Sequence, residues 1–394
     1  MTSPVASSSP TAVLLGFGAV GTRVAELLPR MFAELRVVGV ADSSGGIYRA
    51  SGLDLQALLA HKRGQIGDGD GRAESECRRG VATFAHGERV ADSAALYARA
   101  TNHMNSAGLE PRLNLLIDLS PVDLDSGGPS LPLLQRALRE GISAVLANKA
   151  PLVLDFAGLK AAQAAGAAAA IATGLAPPRL AFSATVCGGL PVINVGVRDL
   201  RGARFERIEG IFNSTTNFIL AEMEAGRSRE DALRQAQRVG IAEADPTLDV
   251  EGFDTANKLV ILSNEVLGQR VKLGDVSVTG ISGVSDDDVQ AALATGECIR
   301  LVARAAVADP AEWTTSSANG CSSSSISYTY TVAPERVKFD SHLGACRGTS
   351  MCCRYVTDVF ETIDLHTNEK GVYPTAAAVL RDCYDVLHAD SVTM

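Results

Sequence analysis

The feature that most constrains this chain is a glycine turn set between a short apolar run and a helical pattern. Thr11 to Leu15 is the run, Gly16-Phe17-Gly18-Ala19-Val20-Gly21 follows at once, and Thr22 to Met31 has the period of an amphipathic helix. Strand, glycine turn and helix in this order form the phosphate-binding unit of a Rossmann-type sheet. The first glycine makes the tight turn, the second lets a pyrophosphate approach the backbone, and the third packs helix on strand. Free N–H groups at the helix start then hold the phosphates. A second apolar run, Leu35 to Val40, ends in Ala41-Asp42, which puts Asp42 about 20 residues beyond the turn, where a carboxylate accepts from ribose hydroxyls. Gly16, Phe17, Gly18, Ala19, Val20, Gly21 and Asp42 are therefore candidate cofactor contacts. Asp42 favours NAD, whereas Arg49, Lys62 or Arg63 would neutralise the extra phosphate of NADP, so either cofactor is compatible.

Further runs extend the alternation. Leu113 to Leu119 reads as a strand, Leu131 to Glu140 as a helix closed by Gly141, and Ser143 to Ala147 as a buried strand delivering Asn148-Lys149 to the ligand-binding edge of a parallel α/β sheet. From about Pro151 the texture changes to an Ala-rich helix, Phe156 to Ala170, and then to alternating segments such as Arg204 to Phe212 and Ser325 to Val332. The expected organisation is a dinucleotide-binding domain over 1–150 and a second, α+β domain over 151–354 for catalysis and oligomerisation. A C-terminal segment from about 355–394, with a helix at Thr375 to Leu387, is expected to return to the first domain. Thr314 to Ser324 is Ser-rich and reads as a surface connection, and the polar stretch Gly64 to Gly71 interrupts the first domain.

Composition narrows the partners. A net charge of −9 without a Lys/Arg block disfavours nucleic acid, and no apolar run is long enough for a membrane span. Eight scattered cysteines without a C-x-x-C pair fit reduced thiols in a cytoplasm better than a disulfide framework. The expected ligand is a small molecule.

The densest chemistry lies in Gly240 to Lys258, which crowds Glu243, Asp245, Asp249, Glu251 and Asp254 together, a costly arrangement without a cation nearby. Asp254 and Lys258, four apart on a helix expected to continue through Leu267, share one face. Lys258 also sits among Phe253, Ala256, Leu259, Val260 and Leu262, and a partly desolvated ammonium can donate a proton to a carbonyl oxygen. A surface salt bridge has the same spacing. Asn213-Ser214-Thr215-Thr216-Asn217, between a strand and a helix, reads equally as a helix cap or a substrate cradle.

Four segments together resemble the homoserine dehydrogenase family: Gly-Phe-Gly-Ala-Val-Gly at 16–21, Ala-Asn-Lys-Ala-Pro at 147–151, Asn-Ser-Thr-Thr-Asn at 213–217, and the Glu243 to Lys258 block. Tyr373-Pro-Thr-Ala-Ala-Ala-Val is similar to the family's closing segment. The resemblance covers about residues 11–306 and 345–388 and is poor over 307–344. It implies NAD(P)H-dependent interconversion of L-aspartate 4-semialdehyde and L-homoserine, in threonine and methionine biosynthesis, by a homodimer or homotetramer. It places the proton-donating lysine on Lys258 and a second lysine, near the reacting carbon, on Lys149. Glu243, Asp254, Asp249 and Thr215 fall on substrate-binding positions, and Ser120 and Gly348 lie along the cofactor. It also implies a monovalent cation, such as Na+, held by backbone carbonyls of Ser183, Val186, Gly188 and Leu190, with Ser183 where the family often has Glu. No kinase portion or C-terminal ACT domain is read in the sequence. Rival readings are another amino-acid-type dehydrogenase, which would not need the Glu243, Asp254 and Lys258 set, and a dinucleotide-binding protein without chemistry, which would not need Lys149 and Lys258.

Overall fold

A computed structural model describes residues 9–64, 80–106, 113–309, 311, 313 and 326–388. The polar stretch after Gly64 and the Ser-rich Thr314 to Ser324 fall outside these residues, apart from Gly64 itself. The chain divides into one unit of 1–185 plus 375–394 and a second of 186–374.

The first unit is built on a seven-stranded sheet. Its strands are β1 (Thr11–Leu15), β2 (Arg36–Asp42), β3 (Gly45–Tyr48), β4 (Glu88–Val90), β5 (Leu115–Asp118), β6 (Ser143–Leu146) and β7 (Leu180–Ala181), in the order β4-β3-β2-β1-β5-β6-β7. The central strands β1, β5 and β6 are buried along their whole length, as expected for strands covered on both faces. Helices α1 (Ala19–Met31), α2 (Leu55–Arg63), α3 (Ser93–Ser106), α4 (Ser130–Arg139) and α5 (Ala150–Ala172) connect them.

The sheet is not parallel throughout: β2 turns back into β3, and β3 pairs antiparallel with β4. The turn is made by Asp42, whose Oδ1 accepts from Ser44 N and Oγ at 2.9 and 2.6 Å. Such an Asx turn leaves no trace in a hydrophobic pattern.

The domain break also falls later than Pro151. Helix α5 starts at Ala150, bends at Asp155, and packs so closely on α4 that a side chain at Gly166 would lie 1.9 Å from the Leu138 carbonyl. Asp155 Oδ1 accepts from Gly158 N at 2.9 Å, which recaps the helix after the bend and accounts for a sequence pattern that begins at Phe156. At the other end only 375–394 return, because 355–374 belong to the second unit, where they complete its last strands. The closing helix (Tyr373–Leu387) adds Ala376, Val379, Leu380 and Cys383 to the first unit's core, beside Phe17, Val24 and Leu28.

The second unit carries a six-stranded sheet, β13-β12-β8-β10-β11-β9. Its strands are β8 (Phe205–Ile211), β9 (Ser277–Val278), β10 (Glu297–Val307), β11 (Tyr328–Lys338), β12 (Ser350–Thr357) and β13 (Thr362–Asn368). Strand β11 starts at Tyr328, later than Ile326, and runs on to Lys338, paired residue for residue with β10, while Ser325 lies outside the described residues. One face presents Ile208, Leu301, Ala303, Val332 and Tyr355, all buried. The opposite face carries charged pairs across strands, Arg304 with Glu209 and Glu335, and Arg354 with Asp364. Three helices matter for the site: α6 (Ser214–Glu224), α7 (Arg229–Arg238) and α8 (Phe253–Val266).

Candidate functional site

The glycines of the first unit separate into two kinds. A Cβ on Gly16, at φ +97°, would lie 2.3 Å from the Leu119 carbonyl oxygen, and one on Gly21 would lie 2.4 Å from the Gly16 carbonyl oxygen. The fold itself forbids side chains at both. A Cβ on Gly18 would meet nothing within 4 Å, and no side chain caps the helix that starts there. The space above Gly18 thus fits a pyrophosphate resting on the start of α1.

Asp42 closes β2 as expected, and its carboxylate is engaged by Lys62, Ser44 and Val81 N. Burial raises its pKa, but the hydrogen bonds from Lys62 and Ser44 outweigh that and hold it below the usual carboxylate value. Of the three cations considered for a phosphate, Lys62 meets Asp42, Arg63 pairs with Glu26, and Arg49 donates to Ser51 Oγ at 3.1 Å.

At the ends of β5 and β6 a further carboxylate, Asp118, is fully buried. Its Oδ1 accepts from Ser120 Oγ at 2.5 Å and Ser120 N at 3.1 Å, and its Oδ2 accepts from Asn148 Nδ2 at 3.2 Å. Asn148 Oδ1 in turn accepts from Ala150 N at 3.0 Å, across Lys149, which stands immediately before α5, makes no capping hydrogen bond with its side chain and is half-buried. Burial pushes the Asp118 carboxyl up, against the pull of the Ser120 and Asn148 hydrogen bonds. Sequence reading found Ser120 and Lys149 but not the carboxylate that links their neighbours. Its signal was an acidic residue closing an otherwise apolar strand. Ser183 lies buried against Asp382, its N and Oγ donating at 2.7 and 2.6 Å, so its side chain is committed.

In the second unit the acidic block is drawn around Lys258. Its ammonium pairs with Asp254 Oδ2 at 2.6 Å, one helical turn back on α8, and donates to the Phe212 carbonyl at 2.6 Å at the end of β8. Asn213 caps α6 by accepting from Thr216 N at 2.8 Å, and its amide donates to Asp249 Oδ1 at 2.6 Å and Asp254 Oδ2 at 2.9 Å. Thr215 donates to the Ile241 carbonyl at 3.1 Å and also meets Asp249. Burial pulls Lys258 toward the neutral amine, yet Asp254, Cys187 and Asp249 together hold its pKa above that of a free lysine. Asp249 is pushed up by burial and by Asp254 beside it.

Asp249, Asp254, Thr215 and Lys258 thus come together. Glu243 does not: it is exposed on the turn after α7, and among the described residues its carboxylate has no partner, while its carbonyl accepts from Gln237 at 3.2 Å. Gly348, at φ +62°, turns the chain into β12. In the loop of Val186, Gly188 and Leu190, two consecutive residues are left-handed, Cys187 at φ +56° and Gly188 at +58°. Glu369 Oε1 accepts from Gly189 N at 2.8 Å, and the Leu190 carbonyl accepts from Val192 N at 2.8 Å, which leaves that carbonyl one lone pair. Among the described residues no three His, Cys, Asp or Glu side chains form a metal site, so a cation there would depend on carbonyls.

Comparison with known proteins agrees with this division of features. The family model described as homoserine dehydrogenase matches residues 191–384, and that of glutamate/leucine/phenylalanine/valine dehydrogenase matches 6–92. The homoserine dehydrogenase of Methanocaldococcus jannaschii is 28% identical, over 96% of this chain and 98% of its own length. The NAD(+)-dependent homoserine dehydrogenase of Pseudomonas canavaninivorans is 29% identical, over 94% of each chain. Among solved structures, one named "Putative Homoserine Dehydrogenase" from Archaeoglobus fulgidus is 31% identical, covers 96% of this chain and 99% of its own, and superposes with a TM-score of 0.72. Fold, glycine turn and acidic block, together with these full-length similarities, show that the chain belongs to the homoserine dehydrogenase family.

Proposed function

We propose that this chain catalyses the reversible reduction of L-aspartate 4-semialdehyde to L-homoserine with NADH or NADPH. The observation that carries the reading is the largely buried Lys258 ammonium, held charged by Asp254 beside a second carboxylate, Asp249. A dinucleotide whose pyrophosphate is held at the glycine turn would supply or accept the hydride through its nicotinamide. Lys258 supplies the proton to the carbonyl oxygen in reduction and takes it back in oxidation. Asp254, Asp249 and Thr215 hold the amino acid part of the substrate, whose ammonium needs a carboxylate partner, Glu243 is a further proposed contact from its exposed turn, and Lys149 stabilises charge on the reacting oxygen.

Gly16, Phe17, Gly18, Ala19, Val20, Gly21, Asp42, Ser120 and Gly348 are the proposed cofactor contacts. NAD is supported by a relative named as NAD(+)-dependent, and NADP is the alternative cofactor of the same proposal. The carbonyls of Ser183, Val186, Gly188 and Leu190 are proposed cation ligands, and two or four copies of the chain are the proposed assembly. Among the described residues no helix is long and apolar enough to cross a membrane; a cytoplasmic location is part of the same proposal.

The direct test follows the absorbance of reduced nicotinamide with L-aspartate 4-semialdehyde, in the wild type and in Lys258→Ala. Turnover by the wild type, lost in a variant that still binds cofactor, is the expected result. A wild type that binds NAD(P)H tightly and leaves the aldehyde untouched would move the binding-protein reading to the front. Because its pKa is raised, Lys258 must be deprotonated before it accepts a proton, so oxidation of L-homoserine should quicken as pH rises above neutral. A flat profile from neutral to strongly alkaline pH would remove Lys258 from the proton step.

A further inference from the structure

Capping a helix takes one acceptor atom, and Ser, Thr, Asp and Asn supply it almost equally well. Asn213 does more than that. Its Oδ1 is fixed by the Thr216 N–H, which turns both hydrogens of Nδ2 toward carboxylates, one to Asp249 and one to Asp254. Of the four capping side chains only Asn offers a cap acceptor and a two-hydrogen donor on opposite arms. The residue is 4% exposed, so neither carboxylate has bulk water as an equal substitute at that point. The residue before it supplies the other half of the grip: the Phe212 carbonyl accepts from Lys258 Nζ at 2.6 Å. Two consecutive residues at the end of β8 therefore hold both members of the Lys258–Asp254 pair, Phe212 by its backbone and Asn213 by its side chain.

We infer that Asn213 is a positioning residue for the proton-transfer site, its carboxamide keeping Asp249 and Asp254 in register with each other and, through Asp254, with Lys258. The inference rests on the reading of Lys258 as proton donor and names a residue that this reading does not use. Without the amide, two carboxylates 36 and 41 positions further along the chain face each other with one ammonium to share.

The test uses two variants that keep the cap. Asn213→Ser retains a cap acceptor and loses the donor pair, and Asn213→Asp retains the cap and puts a third charge against the other two. Asn213→Ser is expected to melt within a few degrees of the wild type, and Asn213→Asp to fold but melt lower, because it adds a charge at a buried position. Asn213→Ser should raise KM for L-homoserine about tenfold or more, as loss of hydrogen bonds to charged groups does, with a smaller fall in kcat. Asn213→Asp should lose more of kcat/KM, and KM for the nicotinamide cofactor should stay unchanged in both. A readout independent of turnover is the rate at which acetic anhydride acetylates Lys258, followed by peptide mass spectrometry, which should rise in Asn213→Ser as Asp254 is released. Wild-type KM, kcat and Lys258 reactivity in both variants, with only stability changed, would reduce Asn213 to a cap and overturn the inference. Should the wild type itself leave L-homoserine unoxidised, the functional reading fails, and Lys258 labelling still decides the role of Asn213.

Discussion

Asp118 in the first unit and Asp254 in the second are both largely withdrawn from water, and both are gripped by an asparagine amide, yet their environments differ in one respect. Asp118 meets neutral donors, Ser120, Ser130 and Asn148. Asp254 meets an asparagine, a second carboxylate nearby and the Lys258 ammonium. A buried carboxyl surrounded by neutral partners is pushed toward its protonated form, and what it gains from its hydrogen bonds is orientation. A carboxylate that shares its burial with an ammonium keeps both groups charged, and the pair can hold a proton where a substrate oxygen needs it. One cluster fixes backbone at a strand edge; the other stores charge.

Matched substitutions break or sharpen this contrast. The largest effect is expected for Lys258→Ala, a fall of roughly 10²–10⁴ in kcat, as for removal of a general acid, read from nicotinamide absorbance. Next comes the same change at both carboxylates. Asp254→Asn should cost on the order of a hundredfold in kcat/KM, because it strips Lys258 of its charged partner, whereas Asp118→Asn should cost less than about tenfold, since an amide oxygen still accepts from Ser120. Equal losses at the two sites would erase the distinction between them.

A second pair of variants separates fold from ligand. Gly16→Ala meets backbone at 2.3 Å and a positive φ and should fail to accumulate as folded protein, while Gly18→Ala meets open space and should fold normally but bind NAD(P)H at least about tenfold more weakly, measured by fluorescence titration. Unimpaired cofactor binding by Gly18→Ala would place the pyrophosphate elsewhere.

A separate effect, on stability rather than on turnover or binding, concerns Asp382, which burial beneath Ser183 raises to about 6, from 3.8. Its proton is favoured in the folded state, so its contribution is fully present below pH 4 and is lost as pH rises through 6, by about 3 kcal/mol at most. Urea unfolding across that range should show the wild type losing stability relative to Asp382→Asn. Parallel curves would mean that Asp382 stays ionised throughout.

Much of the fold was legible in the sequence because it is written in near neighbours. The apolar runs of β1, β5 and β6, the glycine turn and the i,i+4 placement of Asp254 and Lys258 depend on residues a few positions apart. The β2–β3 hairpin, the extra length of β11 and the start of α5 were not legible, since an Asx turn, a strand set by its partner's length and a bend at Asp155 are decided by hydrogen bonds rather than by hydrophobic period. Among site residues, Thr215, Asp249 and Asp254 were readable as a group; Asn213 was readable only as a cap, and Asp118 only as the end of a strand.

By itself the sequence determined that a glycine turn between strand and helix exists at residues 16–21 and that acidic side chains and a lysine crowd one stretch, because turn chemistry and helical spacing are local. Tertiary structure alone decided which side chains became partners. Asn148 reaches Asp118 across 30 positions and Asn213 reaches Asp254 across 41, and contacts over such distances depend on sheet register and on how helices pack, which no local pattern encodes. Tertiary structure also left Glu243 exposed while it drew Asp249 inward, although the two lie six residues apart in one acidic run.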